Sequence, residues 1–402
     1  MTRDTRIDVD AAGTRASRDV LPDLLRGLSL LGIVVVNAPY LGSSTRGFSP
    51  EAVASTVDAT AAFLVIALAQ GKFFLLFSFL FGYSLAYVLR DDRPDGRARF
   101  RRRLLILAAF GIAHALLLFA GDILLTYAVL GVVLLRLARR PDRSVVRVAR
   151  GVFLVGTLLL TAGLGLQAAF PQEVAAVDPA AVAFDAGIAD APLGEAIALR
   201  VAVLPTVLGT VAFAQGPYAL AAFLIGLLAS RRRLLADPAA HAPLWRRLMR
   251  IGLGVGLPLQ LVAAVLQVGA IRDGVPSGTA ASLGLLLGFV TAPLLTAGYV
   301  GLVAAGIARR PDLMRWAWPA GRMSLTAYLG QSLLLVLVFG GLGIGPSLFG
   351  ELGTSAVVSV GIATWVVLTA LSAWWLRSHA RGPLEAVVAR LSTPGGRRPV
   401  RS

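Results

Sequence analysis

Of the three histidines, His114, His241 and His379, only His114 lies within an apolar run, in GIAHALLL. Imidazole is the side chain whose ordinary titration suits proton transfer near neutral pH, so His114 is the candidate general base toward an acceptor hydroxyl or amine. A hydrogen bond to a neighbouring helix explains a buried histidine equally well without chemistry. Asp122 follows Gly121 at a tight turn and is the candidate catalytic partner. The same aspartate suits an N-cap, satisfying orphan amides and the helix dipole. If the first helix runs to Gly121, His114 sits ~10 Å below the turn by helical rise, and no direct His–Asp bond is implied. Arg26 stands three residues after Asp23 at the edge of an apolar run. A guanidinium binds phosphate bidentately, which makes Arg26 a candidate for holding a phosphate-bearing donor; interfacial snorkelling is the plainer reading. Lys72, the sole lysine, sits at the expected outer boundary of a span and either meets an anionic lipid or acceptor or simply caps the run. Asn37, Arg322 and Gln331 are polar groups at or within apolar runs, where they line a substrate cavity or bond between helices. Without cysteine there is no disulfide, thiol nucleophile or thiolate metal site. No metal-ligand cluster, phosphate-cradling loop, dinucleotide fingerprint or serine-hydrolase elbow is present.

The elements that must hold these residues are membrane helices. The chain has 402 residues, 56% hydrophobic and 15% charged, against roughly half and a quarter in soluble domains. Its mean hydropathy is +0.76. The net charge of +16 does not mark a nucleic-acid binder, because the arginines fall in short blocks between apolar runs rather than along one face. Stretches of about 20 apolar residues predict an all-α, polytopic transmembrane bundle of about ten spans: 24–41, 71–89, 103–120, 122–137, 146–169, 201–229, 250–271, 279–307, 322–341 and 354–376. The short apolar segment 57–70 is expected as an interfacial or re-entrant helix. Positive charge concentrates in Arg90–Arg103 (Arg93 among them), Arg136–Arg147, Arg231–Arg233 with Arg246 and Arg247, Arg309–Arg315, and the tail from Arg377. By the positive-inside rule these loops are cytoplasmic, as are both termini. The loop 170–200, with Glu173, Asp178, Asp185, Asp190 and Glu195, falls outside. The expected organisation is a cytoplasmic segment 1–22, a transmembrane half 23–170, an external acidic loop 171–200, a second transmembrane half 201–377 and a basic cytoplasmic tail 378–402. The pairs Gly284/Gly288 and Gly252/Gly256 have the spacing of close helix packing.

Several stretches resemble the YeiB-like family (DUF 418): DLLRGLSLLGIVVVNAPY from Asp23, GKFFLLFSFLFGYSLA from Gly71, GIAHALLLFAGDILLTYAVLG from Gly111, GRMSLTAYLGQS from Gly321 and WWLRSHARGPLE from Trp374. They occur in the family's order over nearly the whole chain. The resemblance implies an integral protein of the bacterial inner membrane with undefined activity. Where the family usually places tryptophans after GPLE, this chain has Ala386 and Val388. The opening motif also resembles that of the transmembrane acyltransferase group, which includes the heparan glucosaminide acetyltransferases. Those enzymes pass an acyl group from a cytoplasmic donor to an acceptor across the membrane. Their catalytic histidine follows the first motif, and this chain has none between Leu41 and Gly71. The expected activity is acyl transfer from a donor such as acyl-coenzyme A to an envelope or lipid-linked acceptor, with membrane lipids as partners and no nucleic acid. Transport of a small or lipid-like substrate is the alternative, and a structural or regulatory membrane protein is the third.

Overall fold

The computed structural model describes residues 20–90, 96–169, 178–275, 278–310, 315–343 and 347–393. The segment before residue 20, Arg93, Glu173 and the tail from residue 394 lie outside the described residues. Among the described residues every regular element is helical, as the apolar runs require when no water is present to satisfy a strand edge.

The helices are α1 (Val20–Gly42), α2 (Thr56–Leu68), α3 (Lys72–Arg90), α4 (Gly96–Leu117), α5 (Leu124–Leu137), α6 (Asp142–Ala169), α7 (Pro179–Gly187), α8 (Leu193–Thr210), α9 (Gly216–Arg231), α10 (Ala242–Ile251), α11 (Leu257–Arg272), α12 (Thr279–Arg309), α13 (Trp318–Arg322), α14 (Ser324–Phe339), α15 (Thr354–Trp375) and α16 (Pro383–Ser392). One π turn, Val211–Gln215, joins α8 to α9, and a second, Gly252–Gly256, joins α10 to α11.

Among the described residues, seven stretches are long and apolar enough to cross a membrane: Val20–Gly42, Thr56–Leu85, Asp142–Gln167, Leu193–Arg231, Ala242–Arg272, Thr279–Arg309 and Thr354–Trp375. An eighth is reached if the pair Arg315–Arg322 and Ser324–Phe339, bent by 89°, is one span. The other two of the ten expected spans, 103–120 and 122–137, correspond to α4 and α5. Helix α4 opens with Arg97, Arg99 and Arg101 to Arg103. Helix α5 has 14 residues, about 21 Å of rise, short of a hydrocarbon core ~30 Å thick. The segment 57–70 forms α2, which with α3 makes the apolar run Thr56–Leu85, interrupted where Gly71 takes φ +83°. Only glycine holds that backbone cheaply.

Close approaches establish the antiparallel order. Along the α4–α5 hairpin, Gly131 meets Leu104, Gly111 meets Leu125, and His114 meets Asp122. Helices α3 and α9 cross backbone to backbone. A Cβ on Gly82 would lie 1.9 Å from the Phe223 carbonyl oxygen, and one on Gly226 would lie 2.0 Å from that of Phe79. Gly252 abuts Gly298, and Gly284 abuts the Ala263 carbonyl, so the small-residue spacing in these helices serves packing.

This alternation gathers the arginine blocks at one end. There Arg231 bonds Asp142 together with the carbonyls of Ala138 (2.7 Å) and Arg140 (2.9 Å), and Arg97 reaches Leu135 O at 3.3 Å. Outward-facing leucines such as Leu105 and Leu158, 71% and 69% exposed on α4 and α6, give the bundle an apolar exterior suited to lipid rather than water.

Candidate functional site

Helix α4 stops soon after His114, whose carbonyl accepts from the amides of both Leu118 and Phe119 at 2.9 Å. The chain then folds back through residues 118–121. The expected ~10 Å drop assumed a helix continuing to Gly121; an end at Leu117 leaves His114 only about 4.5 Å below it. As a result His114 Nδ1 bonds Asp122 Oδ1 at 2.8 Å, a contact the sequence did not imply. The other carboxylate oxygen accepts from the Leu125 amide at 3.0 Å, so Asp122 also caps α5. Both side chains are fully buried. Because an ionised carboxylate only accepts, the bond places a proton on Nδ1, which in a neutral imidazole leaves Nε2 as the acceptor, the tautomer of a general base. Nε2 is buried and has no partner among the described residues.

Two aromatic rings cover the imidazole. Phe119 stands edge-on at 6.3 Å between centroids, and Tyr328 on α14 lies at 5.3 Å, its hydroxyl 3.4 Å from Asp122 Oδ1. Phe119 fits because Gly121 lacks a side chain: a Cβ there would fall 2.5 Å from the Phe119 ring. Both rings line a cavity of about 460 Å³ at the end of the bundle opposite the arginine blocks. His114 and Asp122 do not line it; they lie one side chain behind its wall. The cavity is bounded by α1, the α2–α3 break at Ala69 to Gly71, the 118–121 turn, α7, α8 and its π turn, α12 and α14, and its walls are mostly apolar. Helix α7 covers it, tied down by Asp185, which accepts from Ser44 Oγ and Thr45 N, both at 2.8 Å.

The remaining predicted residues separate. Asn37 lines the cavity. Gln331 is buried and donates to Leu30 O at 3.0 Å, joining α14 to α1. Lys72 is not a boundary cap. It is completely buried at the α2–α3 break, where its ammonium donates to Ile66 O at 2.7 Å, because a carbonyl freed by the broken helix offers it a partner. Arg26 sits at the arginine end, bonded to Asp23 (2.5 Å) and Ser84 Oγ (2.6 Å) and within electrostatic reach of Arg103. Arg322 donates to Ala380 O at 2.8 Å and stacks over Trp318. Neither arginine lines the cavity.

Sequence reading missed Arg200, Tyr328 and Phe119. Arg200 carried a signal: an isolated cation within the apolar run of α8 demands a partner or a site. Tyr328 and Phe119 carried none, since an aromatic residue in a membrane helix is ordinarily core.

An all-helical, apolar-surfaced bundle with a buried His–Asp pair behind a cavity defines a polytopic membrane protein. Residues 229–393 match the family model described as "Protein of unknown function (DUF418)". The chain is 29% identical over 385 residues to the uncharacterized protein YxaH of Bacillus subtilis, covering 90% of this chain and 91% of that one. It is also 29% identical over 393 residues to the uncharacterized protein YeiB of Escherichia coli, covering 92% and 94%. An uncharacterized 39.9 kDa protein of Bacillus acidopullulyticus is 27% identical over 379 residues, covering 91% of each. Residues 229–393 thus carry the DUF418 match, and over nearly its whole length the chain is similar to the uncharacterized YeiB and YxaH proteins. No solved structure matches it.

Proposed function

We propose that the chain is a membrane-embedded acyltransferase that modifies an envelope or lipid-linked acceptor in the cavity. The supporting observation is the His114–Asp122 bond, which leaves Nε2 unpartnered behind Phe119. With Phe119 swung aside, Nε2 takes the proton of an acceptor hydroxyl as its oxygen attacks the acyl carbonyl. The new C–O bond forms, the C–S bond of a thioester donor breaks, and the imidazolium returns the proton to the leaving thiolate. Acyl-coenzyme A is the donor class. The arginine end then faces the cytoplasm of a bacterial cell, with both termini inside.

The test compares acylation of the envelope fraction in cells carrying wild type and His114→Gln. Gln is of similar size and hydrogen-bonds but cannot act as a base. The variant is expected at wild-type abundance with acylation about 10²- to 10⁴-fold lower. Equal acylation at equal abundance refutes the base.

Transport of a lipid-like substrate is the second reading, favoured by the helix break at residues 69–71 and the π turn at 211–215, both of which border the cavity. In that case substrate flux into proteoliposomes occurs without acylation and is unaffected by His114→Gln.

A further inference from the structure

The cavity carries a charge that the acyl-transfer step does not use. Arg200 is only 2% exposed and lines the cavity. Its Nη2 donates to Gly341 O at 3.0 Å, while Nε and Nη1 are buried with no partner among the described residues. A buried guanidinium with two unmet donors is costly, and in a cavity wall it calls for an anion. Arg46 and the Thr45 side chain border the same cavity. Among the described lining residues the carboxylate is Asp178, which accepts from the Ala180 amide at 3.0 Å and caps α7. Behind this polar mouth the walls are apolar, with Val207 and Phe289 among them.

We propose that the cavity binds a phosphate-headed lipid, its phosphate on Arg200 and Arg46 and its chains against the apolar walls. A phosphate offers enough oxygens to satisfy several donors at once, and a mostly apolar cavity of this size with a few convergent polar groups has the character of a ligand site. The inference deepens the acyltransferase reading by naming the acceptor class, but binding does not require that reading to hold.

Purified full-length protein in phosphatidylcholine nanodiscs is titrated with dioctanoyl phosphatidic acid, dioctanoyl phosphatidylcholine, dioctanoylglycerol and inorganic phosphate. Phosphatidic acid is expected to bind at least tenfold more tightly than each of the others, consistent with hydrogen bonds to a charged group. Equal affinity for phosphatidylcholine or dioctanoylglycerol, equal affinity for phosphate alone, or no binding overturns the proposal. Arg200→Gln should erase the preference. Should that variant fail to fold, Val207→Trp, which fills the cavity, should weaken phosphatidic acid at least tenfold. Unchanged affinity in a folded variant of either kind overturns the site. Acylation without anionic-lipid selectivity removes this inference and spares the acyltransferase. Selective binding without acylation does the reverse.

Discussion

Asp122 serves two partners with its two oxygens, and its substitutions divide structure from chemistry. Asp122→Ala removes the cap, worth about 1 kcal/mol, and leaves the buried His114 Nδ1 unpaired, at about 1–3 kcal/mol more. A loss of about 2–4 kcal/mol should appear in denaturant unfolding of the purified protein. Asp122→Asn keeps an acceptor for the Leu125 amide and is expected to stay near wild-type stability. Its amide favours the opposite tautomer, so acylation should still fall by about 10²-fold or more. An Asn variant that loses stability as Ala does, with acylation falling only in proportion, would make the pair structural. Glu385 shows a motif residue of the structural kind. It accepts from the amides of Leu325 and Thr326 at 2.7 and 3.2 Å, so the GPLE motif caps α14.

Between elements, the geometry rests on helices that approach at backbone distance. At Gly82 a methyl group has nowhere to go, since the atom it would strike is a main-chain carbonyl of α9. Gly82→Ala should therefore cost about 1–3 kcal/mol or more through forced separation of α3 and α9. Gly151 on α6 is exposed, with nothing within 4 Å of its would-be Cβ. Gly151→Ala should leave thermal stability unchanged or raise it by about 0.5–1 kcal/mol through helix propensity. Equal melting temperatures for the two variants in detergent would show that the α3–α9 crossing is looser than described.

Across the whole molecule, antiparallel helices put the arginine blocks at one end and α7, with Asp185, at the other. If the positive-inside rule sets the orientation, alkaline phosphatase fused after Asp185 should be active and a fusion after Pro141, between α5 and α6, inactive. The reverse pattern would invert the protein and place the cavity mouth on the cytoplasmic side. Helices α4 and α5 leave this alternation unchanged, because the two together return the chain to the same end.

The sequence by itself determined the membrane class, the helical architecture and the grouping of arginines between helices. Each follows from local composition: an apolar run of about 20 residues has one stable form in lipid, and charge cannot be hidden within it. The resemblance to the YeiB-like family was legible for the same reason, since its motifs are contiguous. Asn37 could be singled out as a polar residue in an apolar run, but the same rule also selected Gln331, which only joins two helices. Tertiary structure alone decided which polar residues meet. The His114–Asp122 bond depends on α4 ending at Leu117 rather than Gly121, a difference of one helical turn that neither residue encodes. The cavity takes its walls from helices as far apart in sequence as α1 and α14. Arg200 and Lys72 look alike in sequence, each a lone cation in an apolar run. The carbonyl exposed at the α2–α3 break gives Lys72 its partner, while Arg200 keeps two buried donors unmet among the described residues, a difference that only long-range packing could create.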